Sequence, residues 1–205
     1  MDFTGLGHLK SSFNLLLKAP FHATNLMSVI NTEPNVGLTL DRLQTNPPNY
    51  HLWDFAGVDG LQVAIALFTP AINHIAPFQS LTSEFNQQPC AVLRLCENNF
   101  RVALPAEMPF DQAVSDLGLN VWIKPCQTAT LVLPADFGLQ HLAQIATTKP
   151  IYTLNPFPLN QAVPARIDGI AILVWHHPWQ GQPRLTIQTA LADIDTVQAV
   201  LCSSV

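Results

Sequence analysis

Charged residues are scarce in this sequence, and its basic residues are nowhere clustered. Asp, Glu, Lys and Arg together make up 11% of the 205 residues, roughly half of the usual share. Nine residues are Lys or Arg, they are scattered singly, and the formal net charge is −5. Affinity for nucleic acid and attraction to an anionic membrane both depend on clustered positive charge. The composition therefore argues against either kind of partner.

Long apolar runs are also missing. The longest are Val63–Phe68 and Ile170–Trp175, with six residues each, whereas a membrane-spanning helix needs about 20. The first residues, Met1–His8, have neither the basic nor the apolar region of a secretory signal. Because 48% of the residues are hydrophobic, the chain is not expected to be disordered. We therefore expect a cytoplasmic globular protein.

Cysteines are few, and none of them form a Cys-x-x-Cys pair. The four are Cys90, Cys96, Cys126 and Cys202. In a cytoplasmic protein they are expected to be reduced, and Cys90 and Cys96 lie about 20 Å apart if they share a strand. Cys126, which follows Pro125, is expected to be the most exposed thiol. A catalytic thiol needs a nearby base, and nothing local brings His74 or His141 to it.

Catalytic signatures are absent as well. The sequence contains no phosphate-binding glycine loop, no Gly-x-Ser-x-Gly and no His-Glu-x-x-His. Most carboxylates fall at turns and helix starts, where they cap free amides. The exception is Asp54, which lies opposite a predicted strand of alternating apolar residues and is the carboxylate to check for burial. No catalytic residue, cofactor or metal site is therefore predicted.

The hydrophobic pattern of the first hundred residues predicts helices and one hairpin. Apolar residues recur at helical spacing in 5–18, and a second short helix is predicted at 22–30. Apolar residues at every second position predict a strand at 61–68, paired with a strand at 50–55. A short helix is predicted at 80–88.

Short strands and helices are predicted to alternate along the middle of the chain. We expect strands at 90–96, 121–124, 128–133 and 151–154, and helices at 111–118 and 137–147. Residues 100–104 either complete a hairpin or lead irregularly into the next helix. Pro156–Pro164 contains three prolines and predicts an extended linker.

The last part of the chain predicts a small ββα unit. Strands are expected at 167–175 and 184–191, with a helix that begins at Asp193. The fold class is α+β, with a mixed or antiparallel sheet, hairpins and short flanking helices. The predicted organisation is a domain at 1–155, a linker at 156–166 and a unit at 167–205 that packs on the domain or on a partner.

An aromatic segment between the last two strands is the candidate contact with a protein partner. It contains Trp175, His176, His177 and Trp179. Adjacent histidines on an extended chain point to opposite faces, so they do not share one metal ion. Aromatic anchors are enriched in interface hot spots, which favours a contact with a protein.

Three segments resemble the SseB (enhanced serine sensitivity) family. In His51–Pro70 a Trp precedes a Gly/Asp turn and an apolar run that ends in Phe-Thr, with Pro70 where the family has Ser. Pro89–Leu133 has the family's Gly-Leu-x₅-Pro strand followed by Leu-Val-Leu, with Lys124 where the family has Asn. Gln182–Asp195 is similar to its C-terminal strand, acidic turn and helix. The resemblance implies a cytoplasmic bacterial α+β protein and supplies no catalytic residues.

Three functions are compatible with these observations. The first is a non-enzymatic interaction or regulatory protein that meets a protein partner through a sheet face or edge. The second is an immunity or chaperone-like factor that neutralises a toxin or secreted substrate. The third is a small hydrolase or transferase with a Cys or Asp nucleophile. A homo-oligomer is left open.

Overall fold

The computed structural model describes residues 43–105 and 107–203, with 136 and 137 described by their backbone alone. All of these residues belong to one compact unit. The helices predicted at 5–18 and 22–30 lie outside the described residues.

The described residues form two antiparallel sheets and four α-helices. The strands are β1 (Gln44–Thr45), β2 (His51–Ala56), β3 (Ser80–Phe85), β4 (Gln88–Cys96), β5 (Asn99–Leu104), β6 (Trp122–Pro125), β7 (Thr128–Pro134), β8 (Ala146–Thr148), β9 (Gln161–Ile167), β10 (Ile170–Trp179) and β11 (Gln182–Ala190). The helices are α1 (Gly60–Leu67), α2 (Phe110–Ser115), α3 (Ala135–Ile145) and α4 (Ile194–Ser203). One sheet has the order β1-β7-β11-β10-β9-β8, and the other has the order β3-β4-β5-β2-β6.

The alternation of side chains along the strands produces three apolar clusters. One lies between the six-stranded sheet and helices α3 and α4, and it includes Leu142 and Leu201. Another lies between the five-stranded sheet and helices α1 and α2, and it includes Val63 and Phe110. The third, which we call the inter-sheet core, contains residues of both sheets, among them Trp175. The structure is therefore a mixed α+β fold, as predicted.

The predicted strand at 61–68 is wrong, because Gly60–Leu67 is helix α1. Leu, Gln and Ala, which dominate this segment, are good helix formers, and a short apolar run fits either period. The buried residues Gly60, Val63 and Ala64 have the spacing of a helix face. Glycine is required at the start of α1, since a Cβ on Gly60 would lie 2.1 Å from the Asn98 carbonyl oxygen.

The predicted helix at 80–88 is also wrong, because Ser80–Phe85 is strand β3. Its connection to β4 is the two-residue turn Asn86-Gln87, in which both residues have positive φ angles of 50° and 65°. Positive φ at both positions is the geometry of a tight β-hairpin turn. Asn often adopts a positive φ angle but Gln rarely does. The residue types at 86 and 87 therefore did not indicate a tight turn.

The Pro-rich segment does not form the predicted linker over its whole length. Residues 161–167 form strand β9, which pairs with both β10 and β8. Pro164 lies one residue beyond the end of the β8 pairing, where β9 has a partner on one side, and a proline is tolerated at such a position. The strand predicted at 151–154 is wrong; the structure has Ala146–Thr148 as β8 instead.

The last two strands are longer than predicted. The segment 176–179, predicted as a turn, belongs to β10, and the turn is Gln180-Gly181 with φ angles of 51° and 73°. The expected strand, strand and helix are present as β10, β11 and α4. They share a sheet with earlier parts of the chain, because β11 pairs with β7.

Candidate functional site

The aromatic segment predicted to contact a partner is buried inside the chain. Trp175 and His177 are fully buried, and Trp179 and His176 are 6% and 8% exposed. The Trp175 indole donates a 2.9 Å hydrogen bond to the Ser80 hydroxyl on the opposite sheet. His176 lies beside Phe157, with its Nδ1 3.0 Å from that residue's carbonyl oxygen. The expected exposed turn does not exist, and these side chains meet other parts of the same chain.

A tyrosine and a histidine form a neutral pair between the sheets. The Nδ1 atom of His177 lies 2.9 Å from the Pro178 carbonyl oxygen, so it carries the proton and donates it. Its Nε2 atom therefore accepts the 2.9 Å hydrogen bond from the Tyr50 hydroxyl. Burial lowers the pKa of His177 to about 3 and raises the pKa of Tyr50. Both groups are neutral near pH 7, and the pair is suited to packing rather than to proton transfer.

An ion pair lies beside them and links three strands. Asp54 and Arg101 are directly opposite each other on β2 and β5, and the guanidinium donates two hydrogen bonds of 2.7 and 2.8 Å to the carboxylate. Arg101 also donates to the side-chain oxygen of Gln188 on the other sheet. Burial is the largest single influence on the pKa of Arg101 and acts to lower it. The hydrogen bonds to Asp54 and the electrostatic attraction of neighbouring groups together outweigh burial, so the pKa is raised. Asp54, the carboxylate that the sequence marked for a check of its burial, is buried.

Cys126 lies at the edge of this polar cluster. Its backbone amide donates a 2.8 Å hydrogen bond to the Leu52 carbonyl, and its sulfur is 3.3 Å from the Thr128 hydroxyl. Burial raises the pKa of the Cys126 thiol, although the charge of Arg101 acts against this. A raised pKa disfavours the thiolate, which is the nucleophilic form of cysteine.

The two histidines considered as bases for Cys126 are placed elsewhere. His74 ends a short 3₁₀ helix, Pro70–His74. His141 lies on α3, where its Nε2 is 2.8 Å from the Leu201 carbonyl oxygen. All four cysteines are free thiols. Within 43–105 and 107–203, no group of three His, Cys, Asp or Glu residues is placed to hold a metal ion.

A cleft of about 460 Å³ opens beside Cys126, at the end of the five-stranded sheet. Its walls include Tyr50, Trp53, Glu107, Met108, Asp111 and Cys126. A second cleft of about 300 Å³ shares Tyr50 and Cys126 with the first and extends to Thr130. The sequence did not reveal these clefts, because they form where segments distant in the chain meet.

Two large apolar side chains are exposed at one edge of the five-stranded sheet. Val58 is 77% exposed and Trp122, on edge strand β6, is 48% exposed. The Lys124 ammonium lies 5.3 Å from the centre of the Trp122 ring. We call Val58, Trp122 and Lys124 the edge patch.

The backbone that carries the edge patch is tightly held. The Asp59 carboxylate accepts a 2.8 Å hydrogen bond from the Asn120 amide. Gly57 approaches the same segment so closely that a Cβ would lie 2.2 Å from the Asn120 carbonyl oxygen. Loop 57–59 and segment 120–122 are therefore fixed against each other.

Comparison with known proteins relates the chain to solved structures only. No family model and no curated protein matches it, so the resemblance to the SseB family stays a prediction. Among the described residues, none of the helices has the length and apolar character needed to cross a membrane.

Solved structures of other proteins share the fold. Aminomethyltransferase T of the glycine cleavage system from Bartonella henselae matches 76% of this chain with a TM-score of 0.61 and 14% identity. This chain spans less than half of that protein, 44% of its length. A chain of heterotetrameric sarcosine oxidase from Corynebacterium sp. U-96, solved with pyrrole 2-carboxylate, matches 82% of this chain and 86% of its own length. Its TM-score is 0.57 and its identity 15%. At these identities, the likeness establishes a common fold.

Proposed function

We propose that this chain is a non-enzymatic protein-interaction subunit that binds another polypeptide through the edge patch. The observation that carries the proposal is the exposure of Val58 and Trp122 on a fixed backbone at the open edge of a sheet. Exposed tryptophans that are held in place are typical hot spots of interfaces. Little conformational entropy is lost when such a side chain is buried by a partner.

The geometry of β6 favours an extended segment as the partner. Among the described strands, β6 pairs with β2 on one side only, so its other side can accept one more strand. Lys124 is exposed beside Trp122, and it would attract an acidic side chain in that segment. We therefore propose a partner segment that is extended, apolar and acidic.

The interior polar groups support a structural role rather than catalysis. Tyr50 and His177 are neutral and bonded to each other, and Asp54 is paired with Arg101. The thiol of Cys126 is held in its protonated form by burial. Asp54 and Cys126 are the Asp and Cys side chains between the sheets that a hydrolase or transferase could use as a nucleophile.

The likeness to the sarcosine oxidase chain also supports the proposal. That enzyme is a heterotetramer, and this chain matches one of its chains over 86% of that chain's length. A polypeptide of this fold and similar size therefore works there within an assembly of different chains. We further propose a cytoplasmic location, because four free thiols suit a reducing compartment.

The test compares the edge patch with an equally exposed apolar residue elsewhere. A tagged full-length chain is used to isolate a stoichiometric partner, which is then purified and titrated against each variant. The double variant Val58→Asp/Trp122→Ala should weaken binding about 30-fold or more, as expected for truncation of a hot-spot tryptophan. Ile151→Asp, at a site that is 80% exposed, should bind like the wild type.

Two results would count against the proposal. If no partner is recovered and the chain sediments as a monomer at high concentration, the interaction role is wrong. If a partner binds both variants equally well, the edge patch is not its site.

A further inference from the structure

The cleft of about 460 Å³ beside Cys126 has a separate chemical character from the edge patch. Its volume is within the range of small-molecule sites, roughly 300–1,000 Å³. We propose that it binds a small organic cation, in which an ammonium or guanidinium group is attached to an apolar or aromatic body. This inference does not depend on the proposed function.

One wall of the cleft carries two unpaired carboxylates. Glu107 and Asp111 both line it and both are exposed to solvent. Neither carboxylate has a hydrogen bond or ion pair with any residue that the structure describes. Asp111 lies in the first turn of α2, whose N-cap is Pro109, and it makes no capping hydrogen bond. Asp111 therefore does not cap α2, although a carboxylate at a helix start was expected to do so, and both charges are available to a ligand.

Among the described residues that line the cleft, none is Lys or Arg. The basic side chain in that described lining is the imidazole of His51. The guanidinium of Arg101, which acts on the Cys126 thiol, is neutralised by Asp54. Lys124 is next to Pro125 in the chain, but its ammonium lies over the Trp122 ring. The field in the cleft therefore favours a cation.

The remaining walls are aromatic and apolar. Tyr50, Trp53 and Met108 line the cleft together with the carboxylates. A cation over the face of an indole is attracted by its quadrupole, while a thioether adapts to an apolar body. A carboxylate and an aromatic face in one pocket select an organic ammonium over a metal ion, which would require several oxygen ligands.

The acidic and aromatic walls are fixed relative to each other. Trp53 makes an edge-on contact with the buried Phe110 ring, with 6.0 Å between their centres. Phe110 directly precedes Asp111 in α2. On the other side, the Cys126 amide is bonded to the Leu52 carbonyl, next to Trp53. The separation of the charge and the ring is thereby set by the fold, which lowers the entropy lost on binding.

The test uses benzylammonium and benzoate, which have a similar ring and opposite charges. Each is titrated into the ¹⁵N-labelled full chain at pH 7 and followed by amide chemical shifts. Benzylammonium should give saturable shifts of the amides at 50–53, 107–108, 110–111 and 126, with a Kd in the low millimolar range, on the order expected for so small a ligand. Benzoate should give none there. Added salt should weaken the binding.

Variants of the acidic wall decide whether the charges are responsible. The double variant Glu107→Gln/Asp111→Asn should weaken benzylammonium binding about tenfold or more, whereas Glu97→Gln/Asp168→Asn, which changes two exposed carboxylates elsewhere, should leave it unchanged. All four positions are exposed, so each variant should keep the wild-type spectrum except near its own substituted residues. The proposal is overturned if benzylammonium gives no saturable shifts, if benzoate gives equal shifts, or if the Glu107/Asp111 variant binds as well as the wild type.

Discussion

The side chains between the sheets show what sequence reasoning can and cannot find at the level of a single residue. Asp54 was marked only as a carboxylate to check for burial, because an apolar strand was expected opposite it, and it is buried although that segment is helix α1. Its partner Arg101 was not predicted, since β2 and β5 are separated by α1, β3 and β4. Trp175 and His177 were expected to contact a partner at a turn between two strands, yet strand β10 continues through Pro178 and both side chains are buried. Local composition indicated a turn, whereas long-range strand pairing decided the outcome.

The buried His177 should make the stability of the protein depend on pH. Its folded pKa is lowered to about 3, from about 6.5 in an unfolded chain. Between these values the unfolded state binds a proton that the folded state does not. The free energy of unfolding should therefore fall as the pH falls through this window, by up to about 1.4 kcal/mol per pH unit. Above about pH 7 the effect should be absent, since both states are then neutral.

Two variants separate this effect from the titration of other groups. Urea unfolding of His177→Gln between pH 4 and 6.5 should show a shallower pH dependence than the wild type. Tyr50→Phe removes the hydrogen bond to His177 but keeps the imidazole, so it should lower stability at every pH and retain the slope. Equal slopes for His177→Gln and the wild type would refute this account.

At the level of elements, helices and strands were predicted best where the spacing of apolar residues fits only a helix or only a strand. Helices α2, α3 and α4 and strands β4, β7 and β11 were predicted within a few residues of their observed positions. Two elements were assigned the wrong type: α1 was predicted as a strand and β3 as a helix. Both are short. In α1 the alternation of apolar residues was overridden by helix-forming alanines and by packing against β5 and α2. In β3 the strand is defined by its pairing with β4, which a single sequence does not reveal.

The close approach of α1 to the turn between β4 and β5 gives a test of the corrected element. Gly60→Ala would place a Cβ 2.1 Å from the Asn98 carbonyl oxygen, so the backbone would have to shift. We expect a loss of about 1–3 kcal/mol in the free energy of unfolding, measured by urea denaturation. Gln62→Ala, at an exposed position of the same helix, should have little effect because both residues are good helix formers.

The expected loss discriminates between the observed helix and the predicted strand. Alanine is the stronger helix former, so an unchanged or higher stability for Gly60→Ala would mean that the contact with Asn98 does not exist. That result would contradict the observed packing of α1 against the turn between β4 and β5.

For the whole molecule, the two sheets depend on each other. The inter-sheet core joins Leu52, Leu93 and Ala103 of one sheet to Trp175 and Trp179 of the other. Arg101 and Gln188 connect the same sheets by a polar contact. The division of the sequence into a larger domain and a small C-terminal unit relied on proline content. It could not show that β10 and β11 lie in the middle of a sheet that also contains the earlier strands β1, β7 and β8.

Amide hydrogen exchange should show that the C-terminal strands and β7 have the same stability. Strands β7 and β11 are paired over seven residue positions, from Arg184↔Pro134 to Ala190↔Thr128, so neither can lose its partner without exposing its amides. The slowest amides of β7, β10 and β11 should therefore exchange with one common free energy of opening, close to that of global unfolding. Added denaturant should lower the free energy of opening of all three strands by the same amount. If amides of 170–203 instead open at a distinctly lower free energy while β7 stays protected, the C-terminal strands form a separate unit, as the sequence first indicated.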